Sequence, residues 1–239
     1  MSSKPYIGIA TPQANPTVEI EFRELLDAFA VPLATRLTSA GETPAERLVA
    51  YLEQVGEAIR SFDTLRLHSL LFACTGSSYL VGAEREAEIV GLAELDSGFP
   101  VITATRAIAA ELRRRKAQKI AILAPYPQTL IDASVAYWTE QRFDVVNVER
   151  IDIGADTRAI YELKDADVAE ALADFDSADA DLVLLSGTGM PTLAQIRKDP
   201  GRYISSNYCL AMAAYTKLVS WPDTDASIPT ALLGHGDAD

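Results

Sequence analysis

The sequence predicts an α/β protein made of two similar halves, each a parallel sheet flanked by helices. Two observations support this: short apolar segments alternate with longer segments of helical periodicity, and parts of the first half recur in the second. Continuous apolar strands separated by helices are typical of parallel sheets buried on both faces. The chain of 239 residues is long enough for two halves of about 110 residues each.

Seven short segments are apolar or β-branched and bounded by Gly, Pro or Ser, as strands are. They are residues 6–10, 69–73, 101–103, 119–124, 144–148, 182–186 and 203–205. Seven longer segments between them show helical spacing: residues 18–29, 44–61, 83–95, 105–117, 127–140, 164–177 and 206–219. Thr43-Pro44 and Ser206-Asn207 indicate two helix starts, because an oxygen-bearing side chain there can accept hydrogen bonds from the first turn.

An internal repeat defines the two halves. Residues 7–12 align with residues 120–125, and residues 71–76 with residues 184–189, both at an offset of 113 residues. Residues 101–105 resemble residues 203–207, where the offset has shrunk to 102. We predict halves of residues 1–112 and 113–220, related by a pseudo-two-fold axis. A tail of residues 221–239 is expected to pack back on the surface.

Composition excludes several classes of protein. The formal net charge of −13 disfavours binding to nucleic acid or to anionic lipid, and the one basic run, residues 113–116, fits a helix end. The N-terminal residues do not resemble a signal peptide and no apolar stretch could span a bilayer, so we predict a cytoplasmic protein. Two cysteines and two histidines predict neither a disulfide framework nor a metal site.

Ligands of open parallel sheets bind beyond the carboxyl ends of the strands. Four polar turns fall there: residues 11–17, 74–79, 125–129 and 187–191. Residues 74–78, here called the first anion-binding turn, and residues 187–189, the second anion-binding turn, offer hydroxyls and accessible backbone N–H groups. Neither ends in the Gly-Lys-Ser/Thr of a phosphate-binding loop, so the sequence predicts a small carboxylated ligand.

Cys74 is the candidate reactive group. A position near a helix N-terminus predicts a lowered thiol pKa and rapid alkylation near neutral pH. The alternative is that Cys74 is a small buried hydrophobic residue, as Cys209 is expected to be. Tyr126 and Asn15 likewise have structural alternatives, as a packed tyrosine and a turn former.

These turns resemble the aspartate/glutamate/hydantoin racemase superfamily, in the branch containing arylmalonate decarboxylase and maleate cis-trans isomerase. The matching segments are residues 7–12 with Asn15 and Glu19, and residues 73–78, 124–126, 184–189 and 204–207. They span about residues 6–220. The resemblance implies two pseudo-symmetric α/β halves with the active site between them, and it implies an enzyme that needs no cofactor.

One departure from the family decides the expected chemistry. Racemases of this superfamily use two cysteines, one on each face of the substrate carbon; here Cys74 is present, but its symmetry mate is Gly187. A decarboxylase of this branch needs one cysteine as proton donor, although arylmalonate decarboxylase carries it in the second half. Maleate isomerase uses the first-half cysteine as nucleophile but normally has the second as well. We therefore expect a decarboxylase-like enzyme, with an isomerase or a non-catalytic dicarboxylate-binding protein as alternatives.

The resemblance also implies roles for individual residues. Cys74 is expected to be the proton donor or nucleophile, and Asn15 to hold a second carboxylate of a small dicarboxylic acid. The remaining expected substrate-binding residues form an oxyanion pocket from hydroxyls and backbone N–H groups: Thr75, Gly76, Ser77, Tyr126, Gly187, Thr188 and Gly189. No metal, nucleic acid or membrane partner is expected, and a homo-oligomer is compatible with the sequence.

Overall fold

The computed structural model describes residues 4–154 and 157–219, which contain two four-stranded parallel sheets. The first sheet has the order β2-β1-β3-β4 and the second β6-β5-β7-β8. The strands are β1 (Tyr6–Pro12), β2 (Val31–Leu37), β3 (Ser69–Phe72), β4 (Val101–Thr103), β5 (Lys119–Ala124), β6 (Asp144–Arg150), β7 (Leu182–Leu185) and β8 (Tyr203–Ser205). The predicted α/β class with two parallel sheets is confirmed.

Helices connect the strands as crossovers. They are α1 (Thr17–Leu26), α2 (Pro44–Glu53), α3 (Val55–Arg60), α4 (Thr75–Val81), α5 (Ala83–Ser97), α6 (Ala104–Arg114), α7 (Gln128–Glu140), α8 (Asp165–Ala173), α9 (Leu193–Lys198) and α10 (Ser206–Val219). A 3-10 turn spans Thr157–Glu162. The predicted start at Thr43 is a capping box, in which the Thr43 hydroxyl accepts from the Glu46 N–H and the Glu46 carboxylate accepts from the Thr43 N–H.

Strand register reproduces the internal repeat. Ile7 pairs with Ser69 in the first sheet, and Ile120 pairs with Leu182 in the second, so both members are displaced by 113 residues. At the next strand, Leu70 pairs with Val101 in the first sheet and Val183 pairs with Tyr203 in the second. Val101 and Tyr203 are 102 residues apart, which is the shortened offset found in the sequence. The two sheets are therefore equivalent in topology, and the pairing of β1, β3 and β4 matches that of β5, β7 and β8.

Three elements were missed by the sequence prediction. β2 lies at the edge of its sheet and is largely half-exposed, so it lacks the continuous apolar run of the central strands. The helices α4 and α9 are short; α4 begins within the first anion-binding turn and α9 begins at Leu193, just after the turn of residues 187–191, and the Gly, Ser and Thr of these segments are typical of loops. The predicted helix 44–61 is also broken at Gln54, which separates α2 from α3.

The two halves share a hydrophobic core. One buried cluster contains Ile7 and Ile9 of the first sheet together with Ile120 and Leu184 of the second. Helix α10, from the second half, packs on α1 and α6 of the first. The predicted boundary between residues 112 and 113 falls within α6 and stays a prediction. The predicted tail, residues 221–239, lies outside the described residues.

No helix in the described parts of the chain combines the length and the apolar character that crossing a membrane requires.

Candidate active site

A cavity of about 900 Å³ lies between the carboxyl ends of the two sheets, and all four predicted turns contribute to its wall. Seven of the nine predicted site residues line it: Asn15, Cys74, Thr75, Gly76, Tyr126, Thr188 and Gly189. Ser77 and Gly187 are adjacent to these residues but do not line the cavity. The geometry thus brings the predicted residues together, while their individual roles remain predictions.

Cys74 lies two residues beyond the last residue of β3, at the N-cap of α4, and its side chain is buried. Three donors point at its sulfur. The Ser77 hydroxyl donates to Sγ over 3.2 Å, and the backbone N–H groups of Gly76 and Ser77 also donate to it. The sequence analysis assigned the donors of Gly76 and Ser77 to a ligand, but in the structure they donate to the Cys74 sulfur. They would stabilise a thiolate there once it forms.

The expected lowering of the Cys74 pKa is wrong. Burial raises the pKa of this thiol above its ordinary value and outweighs the three hydrogen bonds, each of which lowers it. A helix N-terminus is visible in a sequence pattern, whereas the depth of burial depends on the packing of both halves. The resting form of Cys74 near neutral pH is consequently the protonated thiol.

Alkylation of Cys74 by iodoacetamide should therefore be slow near pH 7 and should accelerate as the pH rises above 9, because only the thiolate reacts. This expectation replaces the rapid reaction inferred from sequence. The rate is measured by mass spectrometry in a Cys209→Ala background, which leaves one thiol, with free cysteine as the reference. Labelling of Cys74 faster than that of free cysteine at pH 7 would contradict the raised pKa.

A hydrogen bond joins the two halves across the cavity. Thr75 Oγ1 and Tyr126 Oη are 2.6 Å apart, and one of these hydroxyls donates to the other. Tyr126 also has a hydrogen bond with Ser186, and with Ser186 as the donor the Thr75–Tyr126 pair keeps one further hydroxyl proton that can be donated to a bound anion. Burial raises the pKa of Tyr126, so its hydroxyl stays a donor rather than a charged phenolate.

The second anion-binding turn is held by residues of the first half. Thr17 Oγ1 donates to the carbonyl oxygen of Gly189 over 2.9 Å, and Thr188 Oγ1 donates to the carbonyl oxygen of Ala73 over the same distance. Since the Thr188 hydroxyl proton is used there, this hydroxyl is not the free oxyanion donor that the sequence suggested. The backbone N–H groups of Thr188 and Gly189 make no hydrogen bond within the described residues and are the donors this turn can offer.

Asn15 is buried beside this turn. Its Nδ2 donates to Thr188 Oγ1 over 3.2 Å, and its Oδ1 accepts from the backbone N–H of Val18 over 3.4 Å. One proton of the amide remains without an acceptor among residues 4–154 and 157–219. Asn15 can therefore donate to a carboxylate in the cavity.

Gly187 occupies the position equivalent to Cys74, yet its backbone differs. Its φ is +135°, in a region that L-residues rarely adopt, and a Cβ there would lie 3.3 Å from Tyr126 Oη. A side chain at this position meets both backbone strain and a close neighbour.

Gly187→Cys should consequently destabilise the protein by about 1–3 kcal/mol rather than insert a second thiol freely. Urea unfolding gives the change in the free energy of unfolding. Gly91→Ala is the matched control, because Gly91 lies in α5 and a Cβ there meets nothing within 4 Å, so that variant should be slightly more stable. Equal stability of Gly187→Cys and the natural chain would show that the turn tolerates a side chain.

Glu21 was not identified from the sequence, although it supports the second anion-binding turn. This buried carboxylate of α1 accepts from the Thr192 N–H over 2.6 Å, from the Leu193 N–H over 3.1 Å and from Asn207 Nδ2 over 2.6 Å. Asn207 Nδ2 also donates to the carbonyl oxygen of Thr188. A network from the first half thus fixes the backbone that carries the donors of Thr188 and Gly189. Burial raises the pKa of Glu21, and its hydrogen bonds lower it by less.

Charged and aromatic residues on the far wall were also missed. Helix α2 presents Pro44, Arg47, Leu48 and Tyr51 to the cavity, at the i, i+3, i+4, i+7 spacing of one helix face. Arg158 of the 3-10 turn is the second arginine of the wall, and no Asp or Glu lines it among the described residues. In a chain with a net charge of −13, this composition favours an anionic ligand. The helical spacing was visible in the sequence, but nothing there showed which helix covers the cleft.

Within the described residues, His, Cys, Asp and Glu form no group of three or more that could hold a metal ion.

The fold and the cleft define a class: two equivalent α/β halves with a cysteine at the end of a strand between them, as in the aspartate/glutamate racemase superfamily. A family model described as arylmalonate decarboxylase matches residues 50–205, and the chain belongs to this family. A maleate isomerase from Pseudomonas putida is 25% identical over 94% of both chains. Another, from Geobacillus stearothermophilus, is 25% identical over 80% of this chain and 81% of its own.

Solved structures show the same fold. A mutant of the Nocardia farcinica maleate cis-trans isomerase, with a covalently bound succinylcysteine intermediate, has a TM-score of 0.81 at 21% identity and covers 91% of this chain and 94% of its own. A liganded double mutant of arylmalonate decarboxylase has a TM-score of 0.72 at 21% identity and covers 89% of this chain and 92% of its own. The match to the arylmalonate decarboxylase family model confirms the predicted superfamily and branch.

Proposed function

We propose that this protein is a cofactor-independent decarboxylase of 2-substituted malonates, in which Cys74 protonates one face of the intermediate. The observation that carries this proposal is the surroundings of Cys74: the thiol is buried, three donors are arranged around its sulfur, and burial raises its pKa. A proton donor has to be protonated at rest, which the raised pKa of Cys74 favours, and the three donors at its sulfur offset part of the cost of the thiolate that remains after the proton is transferred.

The reaction breaks one bond between C2 and a carboxylate carbon. CO₂ leaves, and the electron pair of that bond spreads over C2 and the remaining carboxylate as an enediolate. The developing negative charge is stabilised by the free hydroxyl proton of the Thr75–Tyr126 pair and by the N–H groups of Thr188 and Gly189. Cys74 then transfers its proton to C2, and solvent reprotonates the thiolate.

The cavity wall supports a substrate with an apolar substituent. Besides the polar turns, Leu48, Leu80, Leu130 and Ile160 line the cavity, and its volume of about 900 Å³ leaves room beyond a malonate group.

A maleate isomerase is the second candidate. It is favoured by the three donors at the Cys74 sulfur, which would equally stabilise a nucleophilic thiolate, and by the relative from Nocardia farcinica, whose cysteine carries a succinyl group. In that reaction Sγ adds to the alkene, the resulting single bond rotates, and elimination of the thiolate restores the double bond. The raised pKa of Cys74 and the glycine at position 187 weigh against it.

The two candidates are separated by incubating the protein with 2-phenylmalonate, 2-methyl-2-phenylmalonate and maleate in D₂O. We expect CO₂ release from the malonates, one deuterium at C2, and a single enantiomer of 2-phenylpropionate, detected by NMR and chiral chromatography. Conversion of maleate to fumarate without CO₂ release from either malonate would replace the decarboxylase with the isomerase. Racemic product would contradict protonation from one face.

A further inference from the structure

We propose that the wall formed by α2 contains a carboxylate subsite at Arg47, so that the preferred substrate carries an anionic group at the far end of its apolar substituent. This inference deepens the proposed function, on which its substrate class rests. It concerns a third acidic group, distinct from the two carboxylates held by the polar turns.

The guanidinium of Arg47 is held with one edge open. Nη1 donates to the carbonyl oxygens of Gly41 and Glu42, over 3.2 and 2.8 Å, which uses both of its protons. Nε and Nη2 make no hydrogen bond to any residue that the structure describes. These two groups form the edge that binds a carboxylate through two parallel hydrogen bonds.

The neighbouring carboxylates do not occupy this edge. Glu46, the nearest acidic residue along α2, has Oε2 engaged by the N–H groups of Glu42 and Thr43 in the capping box. No salt bridge to Arg47 occurs among the described residues. The arginine is therefore fixed in place and its open edge is available to a ligand.

Arg47 lies on the same face of α2 as Tyr51, one helical turn or about 6 Å along the axis. Tyr51 is near both groups: burial is the main cause that raises the pKa of its hydroxyl, Cys74 raises it further, and Arg47 lowers it. The Tyr51 side chain is therefore close to both the Cys74 thiol and the Arg47 guanidinium. A substituent that leaves C2 beside Cys74 can extend past Tyr51 towards Arg47, because all three residues line the same cavity.

A distal carboxylate on the substrate would bind Arg47, for which a simple malonate has no matching group. The polar turns already offer donors for the two carboxylates attached to C2, whereas Arg47 belongs to α2, which contributes Leu48 and Tyr51 to the cavity wall. An arginine at the end of an apolar surface selects a ligand with an apolar stem and an anionic end, because burial of the stem strengthens the ion pair.

Binding is measured by calorimetry with Cys74→Ser, which should not turn over its ligand. The ligands are 2-benzylmalonate, 2-(4-carboxybenzyl)malonate and 2-(4-carbamoylbenzyl)malonate, so that the last two differ in charge and little in shape. We expect the carboxyl ligand to bind at least about tenfold more tightly than the carbamoyl ligand, as two charge-assisted hydrogen bonds allow. Adding Arg47→Gln should reduce this ratio to about one, and Arg47→Lys should recover only part of it.

Arg158→Gln is the matched control for general attraction of anions, since Arg158 lines the same cavity. The ratio should persist in Arg158→Gln. A ratio near one in the Arg158→Gln protein, or a ratio that survives Arg47→Gln, would overturn the subsite. Binding is independent of turnover, so failure to release CO₂ would remove the decarboxylase while leaving the Arg47 result interpretable.

Discussion

Replacing Cys74 with alanine should reduce turnover by about a hundredfold to ten-thousandfold while the protein remains folded. The thiol is the one acidic side chain placed at the end of β3 against the cavity, and loss of a general acid or a nucleophile typically costs two to four orders of magnitude. The same loss is expected for decarboxylation and for isomerisation, so this result tests the role of the residue and not the reaction type. Turnover is measured with whichever malonate or maleate substrate the natural chain converts.

Cys209→Ala is the control. Cys209 is also buried, but it lies in α10, belongs to the same buried cluster as Ile108 and Leu112, and does not line the cavity. Each substitution should lower the free energy of unfolding by about 1 kcal/mol, which is small for the removal of one sulfur atom from a core. Full turnover in Cys74→Ala would mean that the thiol only packs against its neighbours.

The topology was predictable because the repeat is a property of the central strands. These strands are buried on both faces, so their apolar runs persist in both halves and preserve the offset of 113 residues that the pairing of Ile7 and Ile120 reproduces. β2 was not predicted, because this edge strand contains Thr35 and Arg36 and has no continuous apolar run. The predicted positions of Cys74, Asn15 and Tyr126 in one cavity followed from the rule that ligands bind at the carboxyl ends of parallel strands.

Directions of hydrogen bonds could not be predicted in the same way. The sequence shows that Ser77 and Thr188 bear hydroxyls, but their protons are given to Cys74 Sγ and to the Ala73 carbonyl oxygen and not to a ligand. The pKa of Cys74 depends on burial by the opposite half, which no local motif encodes. Glu21 was not identified for another reason. The repeat aligns it with Ser134, so the hydrogen-bond network of Glu21 has no counterpart in the second half.

Glu21→Ala should lower the free energy of unfolding by roughly 2–4 kcal/mol, because it leaves buried donors without an acceptor. The affected donors are the N–H groups of Thr192 and Leu193 and the amide of Asn207. Urea unfolding at pH 7 measures the change. Glu19→Ala is the matched control on the same helix: the Glu19–Arg36 pair is about 39% exposed on each side, and its loss should cost less than about 1 kcal/mol. Similar losses in the two variants would show that the Glu21 network contributes little.

Glu21→Gln tests the charge of this group through its dependence on pH. Burial raises the pKa of Glu21 in the folded protein above that of the unfolded chain, so folding favours the protonated carboxyl. The stability of the natural chain relative to Glu21→Gln should then be greatest below about pH 4.3, the unfolded value, and should decline as the pH rises through the folded-state pKa. The opposite trend, a relative stability that grows with pH, would mean that the hydrogen bonds from Thr192, Leu193 and Asn207 outweigh burial and hold the carboxylate charged. In that case the second anion-binding turn would rest on a fixed negative charge, and an anionic substrate would have to bind against it.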